Sequence, residues 1–288
     1  MRNRDAANRR RRRVLSGHLL LLASMLGAGC AGGPDAEAPS SRLVTDMPLR
    51  EDAGTVFVPG ESSVYGVSWA GVLPVGRVEY TYDEIETEEG KLLVFGGLTE
   101  PLLRVKAFLR SAGNIRTLAD PKTFLPVATF WVTADDAPHT RTTWFDQDAG
   151  VAFAGKWTKK FVQAAEIRGK HMLDPIGAIF YGRVVRIEPD SEIRVLMIEG
   201  ATVHLMTVRH AGAEHLMFKG ERIPCTKVSL RTDRIREDGT LVDEKPWNDL
   251  VAWVGEIPGR PIMRIAGSLR FGTVVLKLAS RTVPETRE

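Results

Sequence analysis

The chain is short of the residues on which most recognisable chemistry is built. It has two cysteines and six histidines in 288 residues. Any separate role for Cys30 leaves Cys225 without a partner and excludes an internal disulfide. Cys225 sits in ERIPCTKVSL and reads as a small buried strand residue rather than a reactive thiol. No serine nucleophile elbow, phosphate-cradling glycine loop or Cys/His dyad is present. The longest apolar run, Val14 to Leu26, falls short of the ~20 residues that cross a bilayer as a helix, which disfavours a permanent transmembrane span. There is no alternating βα pattern and no fixed-period repeat.

Histidines and carboxylates could still cluster in space. His204, His210 and His215 invite a metal hypothesis. His204 and His210 share a strand face, but six residues at ~3.3 Å each hold them roughly 20 Å apart, too far for one ion. His210 and His215 could meet across a turn at Ala211 to Glu214, which gives two ligands at most. His171 with Asp174, and Asp146 with Asp148, are formal acid–base pairs, but the first sits where Asp174 is needed as a helix cap and the second in turn-forming sequence. The expectation is therefore no catalytic site, no metal and no cofactor.

Charge is concentrated at the start. The chain has 39 Lys+Arg against 36 Asp+Glu, a net charge of +3. Residues 1–29 carry seven arginines and one aspartate, so the remainder holds 32 basic against 35 acidic residues, a net charge of −3. The basic balance belongs to that first segment, and without it a nucleic-acid partner has no electrostatic support. Arginines, then an apolar stretch with Leu19 to Leu22 at its centre, then small residues, have the layout of a secretory signal peptide.

Gly27-Ala28-Gly29-Cys30 resembles the lipobox of bacterial lipoproteins, with Leu26 four residues before the cysteine where the family usually has it three before. The resemblance implies removal of residues 1–29 and acylation of Cys30. Arg11 to Leu15 loosely resembles a twin-arginine export signal. Ala31 after the cysteine, by resemblance to lipoproteins of didermic bacteria, implies an outer-membrane address facing the periplasm. Residues 30–58 read as a lipid-anchored tether, small, polar and proline-bearing from Ala31 to Arg42.

Beyond the tether the chain reads as mainly β. Residues 64–69 alternate around Tyr65 and Trp69 with period two, and Arg77 to Tyr82 resumes the pattern past a Gly/Pro bend. Further strands are expected at Lys91 to Phe95 (stopping at Gly96-Gly97), Ile115 to Leu118, Val127 to Val132, Thr140 to Asp146 and Val151 to Ala154. In the second half they are expected at Ile193 to Glu199, Thr202 to His210, His215 to Lys219, Cys225 to Thr232, Leu250 to Val254, Pro261 to Leu269 and Thr273 to Leu278. A short helix is expected with Pro101 at its first turn and Gly113 just past its end. A more secure one spans 175–184, with Asp174 able to cap it and Pro175 at its first position. The fold class is antiparallel curved sheets forming a sandwich or open barrel, in a single domain over 59–280 whose two halves join near the 175–184 helix, with a tail at 281–288.

GESSVYGVSWAGVLPVG, DPKTFLP, WFDQDAGV, LDPIGAIFYGR and WVGEIPGRPIMRIAGSLRFGTVVLKL, in that order between Gly60 and Leu278, resemble the domain of unknown function 3108 family. The resemblance implies an exported, β-rich envelope protein and brings no catalytic residues. Of the aromatics on or beside strands, Tyr65, Trp69, Trp131 and Trp144 are the candidate ligand-binding residues, on the expectation that a curved sheet leaves an apolar cradle on its concave face. The functional expectation is a non-catalytic, lipid-anchored module that binds an apolar ligand or an envelope partner. The alternatives are a scaffolding lipoprotein and an envelope-polymer hydrolase.

Overall fold

The computed structural model describes residues 47–102, 113–133, 139–158, 161–236, 239–242, 250–269 and 272–285. Among the described residues are fifteen strands, one α-helix and a short 3-10 helix at Ala53–Thr55. The strands are β1 (Glu61–Trp69), β2 (Leu73–Thr87), β3 (Gly90–Pro101), β4 (Gly113–Ala119), β5 (Pro126–Thr133), β6 (Thr140–Asp146), β7 (Val151–Trp157), β8 (Phe161–Arg168), β9 (Met172–Leu173), β10 (Glu192–Glu199), β11 (Thr202–Phe218), β12 (Glu221–Ile235), β13 (Leu250–Gly255), β14 (Ile262–Leu269) and β15 (Gly272–Thr282). The helix, α1 (Pro175–Val184), falls between β9 and β10. The helix expected between Pro101 and Gly113 lies largely outside the described residues; Pro101 itself ends β3 and Gly113 begins β4.

All fifteen strands join one sheet in the order β8-β7-β6-β5-β4-β3-β2-β1-β15-β14-β13-β12-β11-β10-β9. Strands next to each other in sequence pair, except β8 and β9, which form the two edges; β1 and β15 meet at Val64↔Ser280 and join the two halves. Every pairing is antiparallel save β9 with β10. The two ends of this order fix its shape. β8 ends at Arg168 and β9 begins at Met172, a step of at most ~14 Å along the chain. Fourteen strand spacings laid flat would separate the same edges by roughly 65 Å. The sheet therefore curls until its edge strands are neighbours, although no ladder joins them among the described residues. It is the open barrel of the two expected arrangements, not a sandwich.

Side chains close this seam where backbone ladders do not. Met172 N–H donates to Gln147 Oε1 at 3.1 Å, and Gln147 Nε2 donates to the Met172 carbonyl at 2.9 Å. One carboxamide thus makes the two bonds that a neighbouring strand would make. A small apolar cluster, Phe145, Ala152 and Ile167 against Met172, Leu196 and Ile198, packs β6–β8 onto β9 and β10.

Helix α1 fills the interior. Asp174 caps it by accepting from Gly177 N–H at 2.5 Å, and Pro175 occupies the first turn, where a missing N–H costs nothing. Seven of its ten residues are buried and Ala178, Ile179 and Gly182 are half-buried, so the helix is apolar nearly all round. Its Phe180 stacks on Phe95 with centroids 4.2 Å apart, and Phe57, Tyr80 and Tyr82 complete an aromatic core against β2 and β3. Gly97 makes this approach possible: a Cβ there would lie 2.6 Å from Ile176 Cδ1. β3 runs on through both glycines to Pro101 instead of stopping at Gly96-Gly97, because its ladder with β2 continues to Gly76↔Pro101.

Three boundaries differ from expectation. The body starts before residue 59: Leu49 bridges Val185, and Val56 and Phe57, assigned to the tether, are buried in the core. β15 continues to Thr282, into the assigned tail. Ala211-Gly212 is not a turn but an irregularity within one 17-residue strand, β11, where the register shifts between His210 and Ala213. His210 and His215 therefore lie along one strand and do not face each other across a turn.

Candidate functional site

The two faces of α1 meet different walls. Ile176, Phe180 and Val184 pack into the aromatic core, while Pro175, Ala178, Gly182 and Val185 turn toward the C-terminal half of the sheet. On that side both surfaces carry short side chains: alanine and glycine on the helix, Val195, Val208, Val228 and Ala252 on β10–β13. Residues 3–4 apart on a helix share a face, so one narrow stripe decides how far the sheet stands off. The result is a cavity of about 100 Å³ between α1 and β10–β14. Ile179, Met206 and Ile265 complete its apolar walls, and Tyr181 and Thr232 are the polar residues that line it.

The predicted aromatic residues are not brought together there. Tyr65 is buried beside Tyr80, centroids 5.3 Å apart, near Glu61 and Arg183, and burial raises its pKa above the usual tyrosine value. Trp69 is half-buried at the end of β1, its ring against Gly272. Trp131 is buried on the inner face of β5 beneath the Arg141 guanidinium, 5.1 Å from the ring centroid. Trp144 is on the outer face of β6, 53% exposed, edge-on to Phe130 at 5.5 Å. None of the four lines the cavity. Aromatic rings need space and tight contacts, so they fill the N-terminal wall; the cavity's walls are aliphatic apart from Tyr181 and Thr232.

The residues considered for acid–base or metal chemistry have other partners. Asp174 is fully buried and, besides capping α1, accepts hydrogen bonds from Thr117 and, at 2.5 Å, from Thr129. Burial pushes its carboxyl up, with these bonds opposing. Asp146 accepts from Ala149 N–H in the β6–β7 turn. Among the described residues no three His, Cys, Asp or Glu side chains converge as a metal site. Cys225 is free and buried, and burial raises its thiol pKa, as a structural cysteine requires.

A second polar group lies at the β10–β11 turn. Arg141 Nη1 stands 3.7 Å from Glu199 Oε1, while Glu199 Oε2 and His204 Nε2 are buried without hydrogen-bond partners. Burial, only partly offset by Arg141, pushes Glu199 up to about 7, and burial with Arg234 nearby pulls His204 down to about 4. The two shifts act on stability with opposite sign. Raising an acid's pKa makes the folded state hold the proton more tightly, so Glu199 lowers stability as pH rises from about 4.5 to 7. Depressing a base makes the unfolded state hold it more tightly, so His204 raises stability as pH climbs from about 4 to 6.5. Each effect is about 3 kcal/mol in full, and in the wild type they largely cancel. Relative to wild type, Glu199→Gln is expected to gain about 3 kcal/mol between pH 4.5 and 7, and His204→Leu to lose about as much between pH 4 and 6.5. Urea denaturation across that range measures both; two flat difference curves would refute this assignment.

No protein-family model matches the chain, and no curated protein matches its sequence. The resemblance to the domain of unknown function 3108 family thus remains one of short motifs. Among solved structures, the chain is similar to the β-barrel-like protein of domain of unknown function DUF1849 from Brucella abortus. The two share 10% identity and a TM-score of 0.49, over 80% of this chain and 99% of that one. It is also similar to the hypothetical lipoprotein YmcC from Escherichia coli, with 14% identity and a TM-score of 0.33 over 80% of this chain and 90% of that one. At these values neither similarity assigns a family or a function.

Proposed function

We propose that this protein is a lipid-anchored envelope module that binds an apolar ligand, without catalysis, in the cavity between α1 and β10–β14. The observation that carries the reading is that cavity, about 100 Å³ of space walled almost wholly by aliphatic side chains. Protein interiors are close-packed, and an apolar void forfeits contacts that an occupant would restore. Ala178→Leu, which grows the helix into the cavity, is expected to raise Tm by a few degrees and to abolish binding of a small hydrocarbon such as methylenecyclopentane, read by ligand-observed NMR. Undiminished binding in that variant would place the ligand elsewhere.

The anchor belongs to the same proposal. Acylation of Cys30 would hold the body at the periplasmic side of the outer membrane, and the motif resemblance to the domain of unknown function 3108 family fits an exported role. Burial of the acyl methylenes, at ~0.8 kcal/mol each, supplies the hold. Cys30→Ala is expected to move the protein from the membrane to the soluble fraction on fractionation; equal retention in the membrane would remove the anchor from the account. A scaffolding role has one observation in its favour, the exposed Trp144 and Phe153 paired across β6 and β7 on the outer face.

A further inference from the structure

The outer wall of the sheet carries a feature of its own. Directly opposed residues of antiparallel strands share a face. Register therefore places Trp144 beside Phe153, Phe130 beside Thr142, and Val132, Thr140 and Trp157 in one row, all on the outer face of β5–β7. Exposure agrees: Trp144 is 53% exposed, Phe153 52%, Val132 49% and Trp157 47%. No position in these three rows holds a charged residue. Charges stand at the border instead, with Arg116 opposite Phe130 on β4, Glu166 opposite Phe153 on β8 and Asp146 past Trp144 at the end of β6. A contiguous apolar patch rimmed by polar residues marks a contact surface.

Size and shape decide what the patch fits. Three strands at ~4.8 Å and about six residues at ~3.3 Å cover roughly 300 Å², whereas a protein interface of standard size takes about 800 Å² from each partner. The outer wall of a curled sheet is convex, so a protein could reach that area only by wrapping onto the charged border. A lipid surface needs no such area, because the protruding side chains alone enter it. The residue types match as well: tryptophan concentrates where headgroups meet acyl chains, its ring among hydrocarbon and its N–H toward water. Chain length permits the contact. The seventeen residues from Cys30 to Met47 reach at most ~60 Å when fully extended, and a compact body of this length is roughly 45 Å across. A chain acylated at Cys30 could therefore turn any face to the membrane that holds it. We propose that the outer face of β5–β7 seats the body on a lipid bilayer, with Trp144, Phe153 and Trp157 in the boundary between headgroups and acyl chains.

The test mixes the full chain with vesicles of phosphatidylethanolamine and phosphatidylglycerol. In half of the samples the acyl chains carry bromine near the headgroup, which quenches tryptophan on contact. Residues 1–46 contain no tryptophan, so neither a lipid anchor nor a retained leader contributes to the signal. Two of the six tryptophans lie in the patch, so brominated lipid is expected to remove up to about a third of the wild-type emission. Trp144→Phe/Trp157→Phe is expected to lose that quenching while still floating with the vesicles. Phe153→Asp is expected to cut it about threefold or more, because a carboxylate resists entry into the boundary. Wild-type emission untouched by brominated lipid overturns the proposal, whether or not the chain floats with the vesicles. Quenching that the double variant keeps in full also overturns it, since another tryptophan then meets the lipid. A wild-type dimer that Phe153→Asp converts to monomer in sedimentation, without quenching by lipid, assigns the patch to a second copy instead. Loss of membrane retention in Cys30→Ala bears on the anchor alone, and probe binding by Ala178→Leu on the cavity alone, so each reading fails separately from this one.

Discussion

Glu61→Ala is expected to destabilise the protein by about 3–5 kcal/mol, the range for removing one partner of a buried ion pair. Glu61 is 2% exposed and receives two guanidinium groups: Arg183 at 3.0 Å to Oε2, and Arg281 at 3.0 Å to Oε1. Arg183 also donates to the carbonyls of Val56 and Gly259, and its guanidinium lies 4.6 Å from the Phe57 ring centroid. One side chain therefore ties the last turn of α1 to the segment before β1 and to the loop before β14. Burial lowers the Arg183 pKa, with Glu61 opposing it, so deletion of Glu61 leaves a buried cation without its counter-ion. For a body of this size the loss corresponds to a fall in Tm of roughly 10 °C. Replacing Arg183 by Met in the same chain should recover part of it, because the uncompensated charge then disappears. A Glu61→Ala Tm within a degree or two of wild type would show that this network does not hold the helix in place.

Asp174→Ala is expected to cost about 3–4 kcal/mol, for a different reason. The cap on α1 is worth about 1 kcal/mol, and two buried threonine hydroxyls are orphaned at about 1 kcal/mol or more each. Thr117 is on β4 and Thr129 on β5, so the carboxylate that starts the helix also attaches it to the N-terminal wall. Asp174→Asn should be milder, since its carbonyl can still accept from Gly177 N–H. Converting Thr117 and Thr129 to Val in the Asp174→Ala chain should restore stability beyond the single variant, because no orphaned hydroxyl is left. Equilibrium denaturation of the three variants measures these differences; an Asp174→Asn stability equal to wild type, with no recovery from the two valines, would limit Asp174 to a cap.

These two anchor points bear on the proposed site because they set where α1 stands. The helix is pinned at its start by Asp174 and at its end by Arg183, and pressed on one side against the aromatic core. Its small-residue stripe is consequently held at a fixed distance from β10–β14, and the cavity is what that distance leaves.

Much of this was legible locally. The helix was readable to the residue from Asp174-Pro175, because capping and proline placement are short-range effects. Most strands were readable from alternation, and the hairpin order follows from strand succession. β8, Phe161–Arg168, has polar and small residues through its middle and gives no clear period-two signal. Joining of the halves through β1 and β15, some 200 residues apart, leaves no local trace either. The bulge at His210–Ala213 imitates a turn because glycine serves both. The cavity leaves no trace in the sequence for a more general reason. Large aromatic side chains are what a sequence shows as a candidate site, and the structure uses most of them to fill space. The site depends on small residues from five elements distant in sequence, and an alanine or valine at one position carries no signal of its own.

Native mass spectrometry of the full chain, extracted from its own envelope and freed of detergent in the gas phase, tests the binding role most directly. The account predicts that wild type retains a non-covalent apolar adduct beyond the mass of the acylated chain, and that Ala178→Leu lacks it. A wild-type protein with no such adduct, or one carried unchanged by the cavity-filled variant, would contradict the proposal that this cavity is where the protein works.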